Sequence, residues 1–182
     1  ENELRHMLYS ALSYNCPVAM RYPRGEGLGV EQDETLQILP LGKAEVLQEG
    51  QNTGTRNVTL LALGSMVSVA EQAAARMQTE LGIVPTVINA RFAKPLDEAL
   101  ILQYAAEDTL LVTLEEQAVT GGFGSAVLEL LNRNGIDTRS VLTIGIADAF
   151  VPHGNTAKLK MMQGLDVDSV LTTIKQELEK NQ

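Results

Sequence analysis

Apolar positions repeat along this chain in two periods, and the changes from one to the other mark its elements. Leu4, Met7, Leu8, Ala11 and Leu12 fall three, four, seven and eight apart, which predicts a helix over residues 2–15. Pro17 blocks its continuation, and Val18–Tyr22 reads as a short strand ended by Pro23-Arg24-Gly25. Residues 25–41 keep no period and hold glycines, acids and a proline, the pattern of a linker. In Gly42–Gly50, Ala44 and Val46 alternate with Lys43 and Glu45, as in an edge strand with one face inward. A polar turn fills 51–57.

From residue 58 strands and helices alternate. Val58–Leu63 is an apolar strand, and Gly64-Ser65 turns it into a helix over Met66–Leu81 with Val69, Ala73, Met77 and Leu81 inward. Val84–Ala90 is the next strand, and Lys94-Pro95-Leu96-Asp97 opens a helix, with Asp97 in its first turn. Leu110–Leu114 is a buried strand, followed by Glu115-Glu116, the turn Thr120-Gly121-Gly122-Phe123-Gly124, and a helix to about Asn134 carrying Ala126, Val127, Leu130 and Leu131 on one stripe. Val141–Ile146 is a further strand. An irregular Ala147–Gly154 leads to helices over Thr156–Gln163 and Val167–Lys180. Strands separated by helices require right-handed crossovers, so the fold class is α/β, a three-layer α/β/α sandwich. The division expected is 1–24 as the remnant of a preceding domain, 25–41 as linker, and 42–182 as the α/β domain. A lone helix and strand close no core, so 1–40 is expected to be less firmly anchored than 42–182.

Composition adjusts this picture modestly. With 45% hydrophobic residues, no Trp and few aromatics, 182 residues build one aliphatic core. The net charge of −9 argues against nucleic acid and against anionic membrane as partners. That charge is uneven, since residues 25–49 hold six acids against Lys43 alone. No run approaches transmembrane length and no signal peptide is visible, so the expected location is cytoplasmic. The chain opens at Glu1 without a Met, inside a helical pattern, which suggests a piece of something longer. One cysteine, Cys16, excludes an internal disulfide and reads as a buried thiol.

Candidate chemistry is sparse. The glycine turn has two glycines at dinucleotide-fingerprint spacing, but Val127 stands where a third belongs, and five residues separate strand from glycines. Close packing of a backbone and a helix N-terminus explains these glycines better. Glu115 and Glu116 are adjacent, diverge on an extended chain, and form no acid/base pair; a solvated or interface role is expected. His6 lies off the apolar stripe and reads as solvated, and a pairing of Asp148 with His153 as incidental. In Tyr22-Pro23-Arg24-Gly25 the backbone around Arg24 is held by Pro23 and Gly25, and a guanidinium suits a phosphate monoester. The motif alone equally describes a surface arginine at a strand end. Arg21 ranks second, as a phosphate contact or a structural ion pair.

Four stretches together carry a family resemblance. They are Met20-Arg21-Tyr22-Pro23-Arg24-Gly25, Thr59–Gly64 running into Ser65-Met66-Val67, Val87 through Asp97, and Glu115 through Ser125. In order and spacing the chain resembles the C-terminal third of the 1-deoxy-D-xylulose-5-phosphate synthase family, within the transketolase-like enzymes. The resemblance implies a five-stranded mixed sheet with one antiparallel edge strand, here Gly42–Gln48. It implies an enzyme using thiamine diphosphate and Mg²⁺, a likeness to transketolase, and a homodimer. The activity implied is joining pyruvate to D-glyceraldehyde 3-phosphate with loss of CO2, feeding isoprenoid, thiamine and pyridoxal synthesis. It turns the phosphate reading of Arg24, and more weakly of Arg21, into an expectation. The family's diphosphate-and-metal motif, its glutamate and its active-site histidines have no counterpart here, so catalytic, cofactor-binding and metal-binding residues are expected in none of this sequence. The fragment alone is expected to be inactive and to work with the N-terminal domains of its own parent chain. The alternative is a partner-docking C-terminal domain of a 2-oxo-acid dehydrogenase beta subunit, or of a transketolase.

Overall fold

In the computed structural model, which describes residues 1–23, 27, 29–51, 57–105 and 109–180, five strands form one mixed sheet. The strands are β1 (Glu45–Gln48), β2 (Asn57–Ala62), β3 (Thr86–Asn89), β4 (Thr109–Ala118) and β5 (Val141–Ile146), in the spatial order β1-β3-β2-β4-β5. β1 runs antiparallel to β3, while β2–β3, β2–β4 and β4–β5 are parallel. The expected α/β architecture and its antiparallel edge are therefore both present.

Strand alternation sends two sets of side chains to opposite faces. Val58, Leu60 and Ala62 of β2, with Leu110, Val112 and Leu114 of β4, face helices α2 (Met66–Leu81) and α6 (Val167–Lys180). Leu61 and Leu111 face α3 (Glu98–Ala105) and α4 (Phe123–Arg133). α2 buries Met66, Ala70, Ala73, Ala74 and Met77, whereas Val69 and Leu81, expected inward, sit at the edge of that stripe. Alanines at 70, 73 and 74 let this helix lie close on the sheet, and close approach rotates the buried stripe toward the smaller residues.

The chain from β2 passes through α2 to β3 on one side. The chain from β4 passes through α4 to β5 on the other side. The carboxyl ends of β2 and β4 thus bound the crevice where an open α/β sheet changes direction, the place such folds meet ligands.

The N-terminal part departs from expectation. Helix α1 (Asn2–Ala11) forms, but Val18–Tyr22 makes no strand, and Val18 and Tyr22 are exposed. A strand needs a neighbour to accept its ladder, and the sheet offers this segment none. Cys16 is exposed rather than buried, on the same unpaired stretch. His6 is buried, not solvated, because its ring joins α1 to residues 33–37.

That junction follows a polar stripe at intervals of four. The side chains of Asn2, His6 and Ser10 accept the backbone N–H groups of Asp33, Gln37 and Leu39 at 3.0, 3.0 and 2.8 Å. Because His6 Nδ1 accepts from Gln37, its proton resides on Nε2, which donates to Asp33 Oδ2 at 2.9 Å. The hydrogen bonds from Asn2 and His6 hold the Asp33 carboxyl below its ordinary range. An extended segment without a ladder thus has its donors satisfied by one helix face.

α1 is in turn fastened to the sheet by Arg91. Its Nε donates to Glu3 at 2.7 Å and its Nη2 to Glu45 of β1 at 2.5 Å, while Asn89 Nδ2 donates to the same Glu3 oxygen at 2.8 Å. Arg91 adopts a left-handed backbone, φ 56°, uncommon outside glycine.

Replacing His6 by alanine is expected to speed amide exchange at Asp33, Gln37 and Leu39, leaving β2 and β4 protected. Hydrogen exchange resolved by residue checks this; unchanged protection at Gln37 would mean the stripe does not hold the segment.

Candidate functional site

The last four residues of β4, Glu115–Ala118, extend the strand into what the sequence suggests is loop. Leu111, Thr113 and Glu115 alternate onto the face that carries α4, so Glu115 points beneath the first turn of that helix. Its side chain is fully buried. Oε2 accepts the N–H of Phe123 and Oε1 that of Gly124, both at 2.7 Å. The two amides belong to the open end of α4, where backbone donors lack intrahelical partners and the helix dipole favours negative charge. Glu115 therefore caps α4 from eight residues upstream, in place of the solvated or interface role read from sequence.

The glycines make room for this carboxylate. A Cβ on Gly122 would collide with the Ala118 carbonyl and with Glu115 itself, although the Gly122 φ of −86° is open to any residue. A Cβ on Gly124 would lie 2.6 Å from Thr113 Oγ1, and one on Gly145 2.9 Å from Glu115 Cγ. Only Gly121, with φ 72°, is needed for its conformation. Thr113 Oγ1 is buried without a hydrogen-bond partner among the described residues, pressed under Gly124.

Glu116 alternates to the other face and reaches into the crevice between β2 and β4. It accepts from Ser65, at the start of α2, and pairs with Lys160 of α5 (Thr156–Met162) at 2.8 Å. Partial burial pushes its carboxyl up, but the hydrogen bonds from Lys160 and Ser65, with the charges of Lys160 and Arg21, outweigh this and hold it below the ordinary carboxylate range. The crevice is thus filled from within by a carboxylate of the chain itself.

Arg21 reaches the same place from the N-terminal segment. Its Nη1 donates to Gln117 Oε1 at 2.5 Å and its Nη2 to the Glu116 carbonyl at 3.4 Å. Arg24, the leading phosphate candidate, lies outside the described residues. Asp97 is more than a helix start: it accepts from Leu100 N, and also from Ala44 N and Lys43 Nζ at 3.2 and 3.0 Å, so it anchors the beginning of β1. Asp148 and His153 are both exposed.

The sequence could have disclosed Glu115. An acid at the second inward position after Leu111, followed by glycines opening a helix, is the pattern of a strand-end cap. Nothing local signalled the Arg21–Gln117 contact, whose partners are 96 residues apart.

The described residues of this arrangement do not fit a thiamine diphosphate–Mg²⁺ pair. Among the described residues no three His, Cys, Asp or Glu side chains converge on a metal position. Both Glu115 oxygens are engaged by backbone donors, and Glu116 is engaged by Lys160 and Ser65. A shallow groove between α2, α5 and α6 is lined by Gln72, Arg76, Met161 and Val167, and Arg76 is already paired with Glu80 and Asp168. No helix among the described residues is long and apolar enough to cross a membrane.

Residues 42–170 match the family model described as transketolase, C-terminal domain. The chain belongs to that family. It is 51% identical over 174 residues to a 1-deoxy-D-xylulose-5-phosphate synthase of Pelotomaculum thermopropionicum, covering 96% of this chain and 26% of that protein. The synthases of Heliobacterium modesticaldum and Desulforudis audaxviator are 48% and 47% identical, over 93% and 99% of this chain and 25% and 27% of theirs. The chain thus spans about a quarter of the length of these relatives, and the resemblance to the C-terminal portion of the synthase holds. A solved structure described as a split gene transketolase, inactive beta4 tetramer, superposes with a TM-score of 0.68 at 32% identity, covering 79% of this chain and 44% of that one. The transketolase-like fold of the sheet is thereby shown.

Because the Glu116 carboxyl is depressed in the folded chain from an ordinary value of 4.5, its stabilising contribution is complete above that value and lost as pH falls through the lower, folded one. Glu116→Gln should therefore flatten the loss of stability between neutral and acid pH. Urea unfolding at a series of pH values measures it; an unchanged slope would mean the ion pair contributes nothing.

Proposed function

We propose that this chain is the C-terminal part of a 1-deoxy-D-xylulose-5-phosphate synthase. The whole enzyme would condense pyruvate with D-glyceraldehyde 3-phosphate, with loss of CO2, to supply isoprenoid, thiamine and pyridoxal synthesis in the cytoplasm. The observation that carries this reading is the identity of about half to synthases over nearly the whole chain, including the part before residue 42, which lies outside the family-model match. A 2-oxo-acid dehydrogenase docking domain remains the competing class. A thiamine diphosphate motif upstream in the same polypeptide favours the synthase or a transketolase, and its absence favours the dehydrogenase subunit.

Thiamine diphosphate, when bound, supplies the carbanion chemistry of the two-carbon transfer, and Mg²⁺ holds its diphosphate. The described residues do not fit either group, so this reading assigns both to the N-terminal domains of the parent polypeptide, which acts as a homodimer. In this reading residues 1–24 complete the domain that precedes the linker, 25–41 connect, and 42–182 form the third domain. The isolated chain is inactive.

What this chain contributes to substrate is the Arg24 guanidinium, gripping the phosphate of glyceraldehyde 3-phosphate. Pro23 fixes φ before it and Gly25 frees the turn after it. Phosphate lies far from the reacting carbonyl, so the contact provides remote binding energy and orientation. In the full-length enzyme Arg24→Ala should raise the KM for glyceraldehyde 3-phosphate by the equivalent of about 1.5–3 kcal/mol, the range for a charged hydrogen bond. The KM for pyruvate should hardly move, and Arg24→Lys should recover part. Steady-state kinetics with each substrate varied decides it: equal effects on both substrates, or none, contradict the assignment.

A further inference from the structure

We propose that α1 and residues 33–39 form a pH-sensitive latch, closed while the His6 ring is neutral and released when it takes a second proton. The latch is independent of the activity proposed above.

In the closed form both ring nitrogens are committed. Nδ1 accepts the Gln37 N–H at 3.0 Å, and Nε2 donates to Asp33 Oδ2 at 2.9 Å. A neutral imidazole can do both, because one nitrogen accepts while the other donates. In the imidazolium both nitrogens are donors. A proton on Nδ1 would stand against the Gln37 N–H, donor facing donor, across 3.0 Å. Water cannot relieve this in place, since the His6 side chain is only 7% exposed. The covering segment is the part free to move. Residues 31–38 are exposed and lie in no helix or strand, so Gln37 can turn its N–H outward to solvent.

The charges around the ring set the opposing pull. Among the described residues Asp33 is the carboxylate that meets the ring, and it favours the imidazolium. Its side chain is 46% exposed, so solvent weakens that attraction. Arg5 donates to the Asp33 carbonyl at 3.2 Å and disfavours a second cation beside it. Glu3 of the same helix is engaged by Asn89 and Arg91, and Glu34, next to Asp33, is exposed. The other two rungs, from the Asp33 N–H to Asn2 and from the Leu39 N–H to Ser10, use neutral acceptors that do not titrate. Imidazole is the side chain whose charge ordinarily changes between about pH 5 and 8. Asp33, held low by the hydrogen bonds from Asn2 and His6, stays ionised across that range. Of the groups that close the latch, His6 is thus the one that senses it.

NMR of the 182-residue chain, from about pH 7.5 down to about 5, tests the latch. Ring nitrogen shifts report the protonation of His6. Amide exchange, referred to the intrinsic rate at each pH, reports closure. As His6 becomes imidazolium, protection of the Gln37 amide should fall by about three- to tenfold, the worth of one net hydrogen bond, while β2 and β4 keep theirs. His6→Asn is the control. Its side-chain oxygen stands as many bonds from the backbone as Nδ1 does and accepts at any pH, so Gln37 protection should no longer follow pH. His153, the other histidine, is exposed, and His153→Asn should leave the Gln37 profile unchanged. If His6 becomes imidazolium while Gln37 keeps its protection, the attraction of Asp33 outweighs the lost acceptor and the latch is refuted. A ring that stays neutral down to pH 5, or a His6→Asn chain that still loses Gln37 protection as pH falls, refutes it equally. Should His6→Asn not fold, the two wild-type profiles decide on their own.

Discussion

One buried carboxylate organises the end of this sheet. Taking Glu115 out of water costs several kcal/mol unless its oxygens are well bonded. Two backbone donors at the dipole-positive end of α4 offset that cost. The same bonds fix where α4 starts relative to β4, and hence where its apolar stripe, Val127, Leu130 and Leu131, meets the sheet. The glycines at 122, 124 and 145 follow from this geometry, since each stands where a side chain would strike Glu115 or the atoms holding it. The glycine turn is thus an accommodation to an internal anion, and what it accepts is already part of the chain.

From that fixed point the polar contacts spread outward. With Glu115 locked below, Glu116 and Gln117 continue as strand, and their outward groups become attachment points for Ser65, Lys160 and Arg21. The switch-point crevice is closed by these internal partners. Arg91, just past the end of β3, joins α1 to β1 through Glu3 and Glu45.

Most of the sheet was legible because its signals are local and repeated. The apolar runs at 58–63, 110–114 and 141–146, with amphipathic helices between them, give the α/β alternation directly. The edge strand was readable from Ala44 and Val46, whereas its antiparallel sense came only from the family resemblance. What stayed hidden depends on partners distant in sequence. Val18–Tyr22 has strand composition, but no neighbour supplies a ladder. His6 is polar and off the apolar stripe, yet buried, because residues 33–39 cover it. Glu115 and Glu116 look alike on paper and differ completely in place, one pleat apart, on opposite faces of β4.

The measurement that bears most directly on this account is the stability of Glu115→Gln. An amide presents one acceptor and turns its NH2 toward the other backbone donor, so it cannot serve both Phe123 and Gly124. Urea unfolding of the 182-residue chain should show a loss of about 2–3 kcal/mol, the scale of a charged hydrogen bond with a stranded partner. Amide exchange at Phe123 and Gly124 should quicken together. Unchanged stability, with both amides still protected, would contradict the claim that this carboxylate holds the helix to the sheet.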